Sequence, residues 1–124
     1  MQSTPQRVAV LGASPKPERY SNMAVRLLTE KGHDVIPVHP AHDMIENLPA
    51  ARRIEDIDGR VDTVSVYLSP KVSSRLEAAL LALGPGRVIF NPGAENESLS
   101  ATLEKSGIET LEACTLVLLR TGQF

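Results

Sequence analysis

The sequence lacks most of the features that settle a function at a glance. Its single cysteine, Cys114, cannot form an internal disulfide, which fits a reducing compartment. No apolar run approaches a membrane span, and residues 1–7 have no signal-peptide-like stretch, so a cytoplasmic protein is expected. Positive charge is not in excess. Thirteen Lys and Arg face 15 Asp and Glu for a formal net charge of -2, and no basic run occurs. Nucleic acid and membrane surfaces are therefore not expected partners. Repeats and low-complexity tracts are absent. A chain of 124 residues has the length of a single domain, expected over 1–124, and can bury about two-thirds of its unfolded surface.

What is present is an alternation of strands and helices. The apolar run Val8-Ala9-Val10-Leu11 marks a first strand over 7–11, ending at Gly12-Ala13-Ser14. A polar loop leads to a helix over 21–31 with Ala24, Leu27 and Leu28 on its apolar face and Gly32 as its stop. Further strands are expected over 34–38, 63–68, 87–90 and 109–113. The segment 40–60 reads as irregular, with one helical turn at Ile54–Ile57. Ser69 and Pro70 read as the cap and first residue of a second helix over 71–83, with Val72, Leu76, Ala79, Leu80 and Leu83 on one face. Asn96 caps a short helix that ends at Gly107, and the tail from Cys114 onwards carries no clear pattern. Strands joined by helices give a doubly wound, mainly parallel five-stranded sheet with helices on both faces. Its ligand crevice lies at the carboxyl ends of the strands.

The first turn carries the chemistry. Gly12 permits a sharp turn, Ala13 is small, Ser14 can donate to a phosphate oxygen, and Lys16 and Arg19 add positive charge beside a helix N-terminus. The alternative is a plain turn with two solvated cations. The full G-x-G-x-x-G fingerprint is absent, and Val38-His39-Pro40 stands where an NAD site places an acid for the ribose hydroxyls. His39 or His42 would accept a phosphorylated ribose, as in coenzyme A (CoA) or NADP; both also fit a solvated loop. His39-x-x-His42 with Asp43 lacks the further ligands of a metal site, so no metal is expected. Tyr67 belongs to the core or to the crevice wall. Ser69 suits a cap better than a nucleophile, since no nucleophile-elbow motif is present. Cys114 is either a small buried apolar residue or a reactive thiol near the crevice. No crevice loop holds a catalytic constellation, so no catalytic residue is assigned.

These segments together, V-A-V-L-G-A-S, P-E-R-Y-S-N, V-I-P-V-H-P, F-N-P-G-A-E-N and a cysteine after the last strand, resemble the small stand-alone CoA-binding proteins. Those are Rossmann-like domains similar to the CoA-binding domain of the succinyl-CoA synthetase alpha subunit. The resemblance runs from about Arg7 to Leu118. It implies that Gly12, Ala13, Ser14, Lys16, Arg19, Ser21 and Asn22 hold the CoA phosphates, and that Val38, His39 and Pro40 approach the adenosine end. It further implies that Leu68, Ser69, Pro70, Asn91, Pro92 and Gly93 line the rest of the path. The chain departs from the family's usual Asn-Pro at His39-Pro40, and from Gln-Pro-Gly at Asn91-Pro92-Gly93. The implied function is binding of CoA or an acyl-CoA without catalysis, as a homo-oligomer or beside an acyltransferase or ligase partner. Two alternatives stand beside it: an NADP-dependent or other nucleotide-using enzyme on the same fold, and a thiol-redox protein that pairs Cys114 with the CoA thiol.

Overall fold

The computed structural model describes residues 4–124. The elements, in chain order, are β1 (Arg7–Leu11), α1 (Tyr20–Glu30), β2 (Asp34–Val38), β3 (Met44–Ile45), β4 (Leu48–Pro49), β5 (Thr63–Val66), α2 (Pro70–Ser73), α3 (Glu77–Leu83), β6 (Arg87–Phe90), α4 (Glu97–Lys105), β7 (Glu109–Glu112) and α5 (Thr115–Arg120), with 3-10 turns at Ile54–Asp56 and Ser74–Leu76. Five strands form one parallel sheet in the order β2-β1-β5-β6-β7. β3 and β4 form a separate antiparallel hairpin, whose turn holds Glu46 and Asn47 at φ of 51° and 63°.

The period-2 geometry of β1 divides the core in two. Ala9 and Leu11 pack with Val64, Val66, Phe90, Leu80, Leu99 and Leu103 on the face covered by α3 and α4. Val8 and Val10 pack with Val25, Leu28, Ile89 and Leu119 on the face covered by α1 and α5. Helices thus cover both faces of a parallel sheet, the doubly wound, Rossmann-like arrangement. Burying each Leu or Phe side chain in these layers contributes about 1.5–3 kcal/mol.

The β3–β4 hairpin falls in the segment expected to be irregular, and the elements differ from the expected ones at three further places. The third main strand leaves the ladder after Val66, although Tyr67 still donates its N–H to the Leu11 carbonyl at 3.0 Å. The expected helix over 71–83 is interrupted by the 3-10 turn at Ser74–Leu76. The cause lies in Asn96, whose Nδ2 donates to the Pro70 carbonyl at 3.2 Å and to the Ser73 and Ser74 hydroxyls at 2.9 Å. Those polar groups turn toward the buried Asn96 amide, against a regular helical course. Val72, expected on the apolar inner face, is consequently 39% exposed. Third, the patternless tail forms α5, which closes over β1 and β6 through Leu119. The Asn96 cap is present, accepting from Leu99 N at 3.0 Å.

Candidate functional site

Main-sheet connectivity reverses between β1 and β5, and a crevice opens at such a switch point, beyond the strands' carboxyl ends. A cleft of about 570 Å3 lies there. Leu11, Gly12 and Ser14 line it from β1, Val38, His39 and Pro40 from β2, and Tyr67 and Leu68 from β5. Val72 and Leu76 close one side, and Arg52, Arg53, Ile54 and Glu55 another.

Gly12 makes the mouth possible. Its φ is +79°, and a Cβ there would stand 2.8 Å from Leu68 Cδ2 and 3.1 Å from the Tyr67 carbonyl oxygen. No other residue type fits both the conformation and the space. The N–H groups of Gly12 and Ala13 both point at the Val38 carbonyl, at 3.2 and 3.3 Å. They tie the turn to β2 and are not open donors. The available donors lie further on, at the start of α1. Arg19 stands at its cap position without a side-chain cap bond, and the first turn carries no acid. The first N–H groups of that turn have no intrahelical acceptor and lie at the positive end of the helix dipole.

Asn22 and Arg26 hold this loop. Asn22 is fully buried; its Nδ2 donates to the Ser14 carbonyl at 2.8 Å and to Glu46 Oε2 at 3.1 Å. Arg26 donates to Asn22 Oδ1 and to the Pro17 carbonyl, both at 2.8 Å. The expected phosphate residues accordingly separate by placement. Gly12 and Ser14 line the cleft. Lys16 and Arg19 are exposed in the adjoining loop. Ala13 is packed in the core, and Ser21 and Asn22 are buried at the start of α1. On the second group, Leu68 lines the cleft, while Ser69 and Pro70 are exposed at the start of α2. Asn91 and Pro92 line a different cavity, described below, and exposed Gly93 donates its N–H to Glu95 Oε1 at 2.9 Å.

At the β2 end, the His39 and His42 rings lie tilted at 52° with centroids 4.5 Å apart. His39 Nδ1 accepts from Ala41 N at 3.0 Å, leaving Nε2 as its second polar atom. Burial, then the neighbouring His42 charge, lowers the His39 pKa below its ordinary value of 6.5, which favours the neutral ring. Arg52 donates to Asp43 at 2.8 Å, and that bond and charge hold the Asp43 carboxyl below its usual range. Arg53 stands 3.5 Å from Asp56. Neither arginine was singled out by sequence, because segment 40–60 has no periodicity to place it; the isolated bridge between Val38 and Ala51 brings both to the cleft.

A second cavity, of about 380 Å3, adjoins the first across Tyr67 and includes Tyr20, Asn91, Pro92 and Cys114. Beneath it Asn91, fully buried, spends its whole side chain on neighbours. Nδ2 donates to Ser65 Oγ and to the Val66 carbonyl at 2.9 Å, and Oδ1 accepts from Thr115 N at 2.8 Å. The Ser65 and Thr115 hydroxyls share a hydrogen bond of 2.8 Å. Tyr67 Oη lies near this network but reaches no partner. Burial pushes its pKa up to about 12, with the nearby hydroxyls only tempering the shift.

Residues 6–120 match the CoA binding domain family. The chain belongs to that family. Among proteins it resembles is the uncharacterised protein YneT of Bacillus subtilis, 36% identical over 62 residues, which make up 50% of this chain and 46% of YneT. The match thus spans about half of that curated relative. The crystal structure of another uncharacterised protein superposes with a TM-score of 0.92 and 38% identity, over 98% of this chain and 100% of that one. An acetyl-coenzyme A synthetase from Ca. Korarchaeum cryptofilum, solved with phosphate and ADP, shares the fold at a TM-score of 0.76 and 21% identity, over 88% of this chain and 26% of its own. Among the described residues, no helix of this family member is long and apolar enough to cross a membrane.

Proposed function

We propose that this chain, as one CoA-binding Rossmann-like domain, binds CoA or an acyl-CoA in the switch-point cleft and has no catalysis of its own. The diphosphate rests at Ser14 and the uncapped start of α1, with Lys16 and Arg19 supplying charge from the loop. The adenosine end lies over Val38, His39 and Pro40. There the Nε2 of His39 and the guanidinium groups of Arg52 and Arg53 can meet the ribose phosphate. The pantetheine arm leaves past Leu68 and Ser69-Pro70 toward Asn91, Pro92 and Gly93.

The observation that carries this reading is the turn at Gly12. It opens directly onto a cleft of about 570 Å3, with no room for a side chain and with a histidine, not an acid, at the end of β2. A phosphorylated ribose is compatible with that end, and a plain NAD ribose finds no carboxylate acceptor in Val38-His39-Pro40. The molecule would serve as a cytoplasmic carrier or sensor of CoA, handing its ligand to an acyltransferase or ligase.

Native mass spectrometry of gently purified protein, followed by calorimetry with CoA, dephospho-CoA and NADPH, tests the reading. Co-purified CoA and an affinity order of CoA above dephospho-CoA and NADPH support it. Saturable NADPH binding without CoA binding overturns it in favour of an NADP site.

A further inference from the structure

The nucleotide cleft leaves the second cavity, of about 380 Å3, without a role. It sits at the carboxyl ends of β5 and β6, on the side of β5 away from β1 and β2. From β2 to β6 the sheet order spans three inter-strand spacings, about 14 Å. A ligand lying across the strand ends with its nucleotide over β2 therefore brings its far end to this cavity. The ring of Tyr67 lines both spaces and divides them.

The state of Tyr67 is unusual. Its hydroxyl is buried close to the Ser65 and Thr115 hydroxyls yet makes no hydrogen bond of good geometry among the described residues, while Ser65, Asn91 and Thr115 are bonded to one another. Such a poorly satisfied buried polar group is costly and calls for a functional explanation. The hydroxyl stays protonated throughout the physiological range, so it is a donor in search of an acceptor. A turn of the ring that brings the hydroxyl to the junction of the two cavities gives up only weak polar contacts with Ser65 and Thr115.

We propose that the second cavity receives the acyl group of a short-chain acyl thioester, and that Tyr67 donates its O–H to the thioester carbonyl at the junction. This rests on the CoA reading above and names the form of ligand. A free thiol is a weak acceptor and would leave the hydroxyl unsatisfied; a carbonyl oxygen satisfies it. The apolar walls of Pro92 and Leu116 and the aromatic ring suit methyl and methylene groups. Exposed Tyr20 and Arg120 bound the space, so a long chain would run into water and charge.

Calorimetry with CoA, acetyl-CoA, butyryl-CoA and palmitoyl-CoA tests the proposal, on the protein and on Tyr67→Phe and Cys114→Phe, each checked for cooperative melting. Acetyl- or butyryl-CoA should bind about fivefold or more tightly than CoA, and palmitoyl-CoA should show no such gain. The short-acyl preference should fall to near parity in Tyr67→Phe and turn against the acyl forms in Cys114→Phe, which fills the cavity. Equal or tighter binding of free CoA by the unaltered protein overturns the acyl compartment while leaving the CoA reading intact. An undiminished preference in Tyr67→Phe overturns the role of its hydroxyl. Binding of none of the four ligands overturns both readings.

Discussion

Gly12 lies directly beneath Leu68, so close that a Cβ on residue 12 would stand 2.8 Å from Leu68 Cδ2. Two segments 56 positions apart in the chain thus meet at the mouth of the cleft without a side chain between them. Gly12→Val should abolish CoA binding and cost about 1–3 kcal/mol of stability, from strain at positive φ together with the clash. Gly32 provides the control. It also has positive φ, +91°, but open space around it. Gly32→Ala should lose about 1–2 kcal/mol with unchanged CoA affinity. Calorimetry and chemical denaturation on both variants give the comparison; normal binding by Gly12→Val would remove this turn from the site.

Charge around the cleft should act by position. Lys16→Ala and Arg19→Ala should each weaken CoA by about tenfold to a hundredfold, if their cations meet the diphosphate. They should weaken dephospho-CoA by the same factor. Arg53→Ala should instead weaken CoA by about tenfold and dephospho-CoA little, because only the ribose phosphate distinguishes those ligands. Equal losses for both ligands in Arg53→Ala would take this residue away from the adenosine end.

The two perturbed histidines set a pH dependence. His33 is buried, its Nδ1 accepts from Gln6 N at 3.0 Å, and burial followed by the Arg87 charge lowers its pKa below 6.5. His39 is lowered as well, by burial and by His42. In both cases the unfolded chain binds the proton more readily than the folded one. Their full contribution to stability is therefore present above pH 6.5 and is lost as pH falls from there through the lower folded values. Urea denaturation between pH 7.5 and 5 should show stability falling with pH, with a shallower slope in His33→Gln. An identical slope in that variant would exclude His33 as a source. A bound ribose phosphate would raise the His39 pKa, so CoA affinity should increase as pH drops from 7.5 toward 6.5.

Tyr67→Phe should not destabilise the free protein. The change removes a buried hydroxyl that has no partner and keeps the ring between the two cavities. An unchanged or raised melting temperature is expected, with a gain of up to about 1–3 kcal/mol. A clear drop in melting temperature would mean that the hydroxyl is bonded in solution.

The order of strands and helices was legible in the sequence because β1, β2, β5 and β6 are short, mostly apolar runs alternating with segments of helical spacing, while the polar β7 was marked by its place after Gly107. The opening turn was legible because Gly12 and Ser14 follow such a run directly. Other features depend on distant partners. Val72 shares its spacing with true core residues, and only the reach of Asn96 into the Ser73-Ser74 turn shows why it faces the cleft. Arg52 and Arg53 arrive through one bridge from an otherwise irregular segment. The use of the Gly12 and Ala13 N–H groups by the Val38 carbonyl is likewise a tertiary fact, which moves the open donors to the start of α1. The α5 helix left no sequence signature because it is only six residues long.

A residue-resolved titration of the 15N-labelled protein with CoA tests the central claim most directly. Saturable shifts should concentrate on Gly12, Ser14, Tyr20, Ser21, His39 and Leu68. Saturation with those six amides unmoved, and the shifts gathered elsewhere on the sheet, would contradict it.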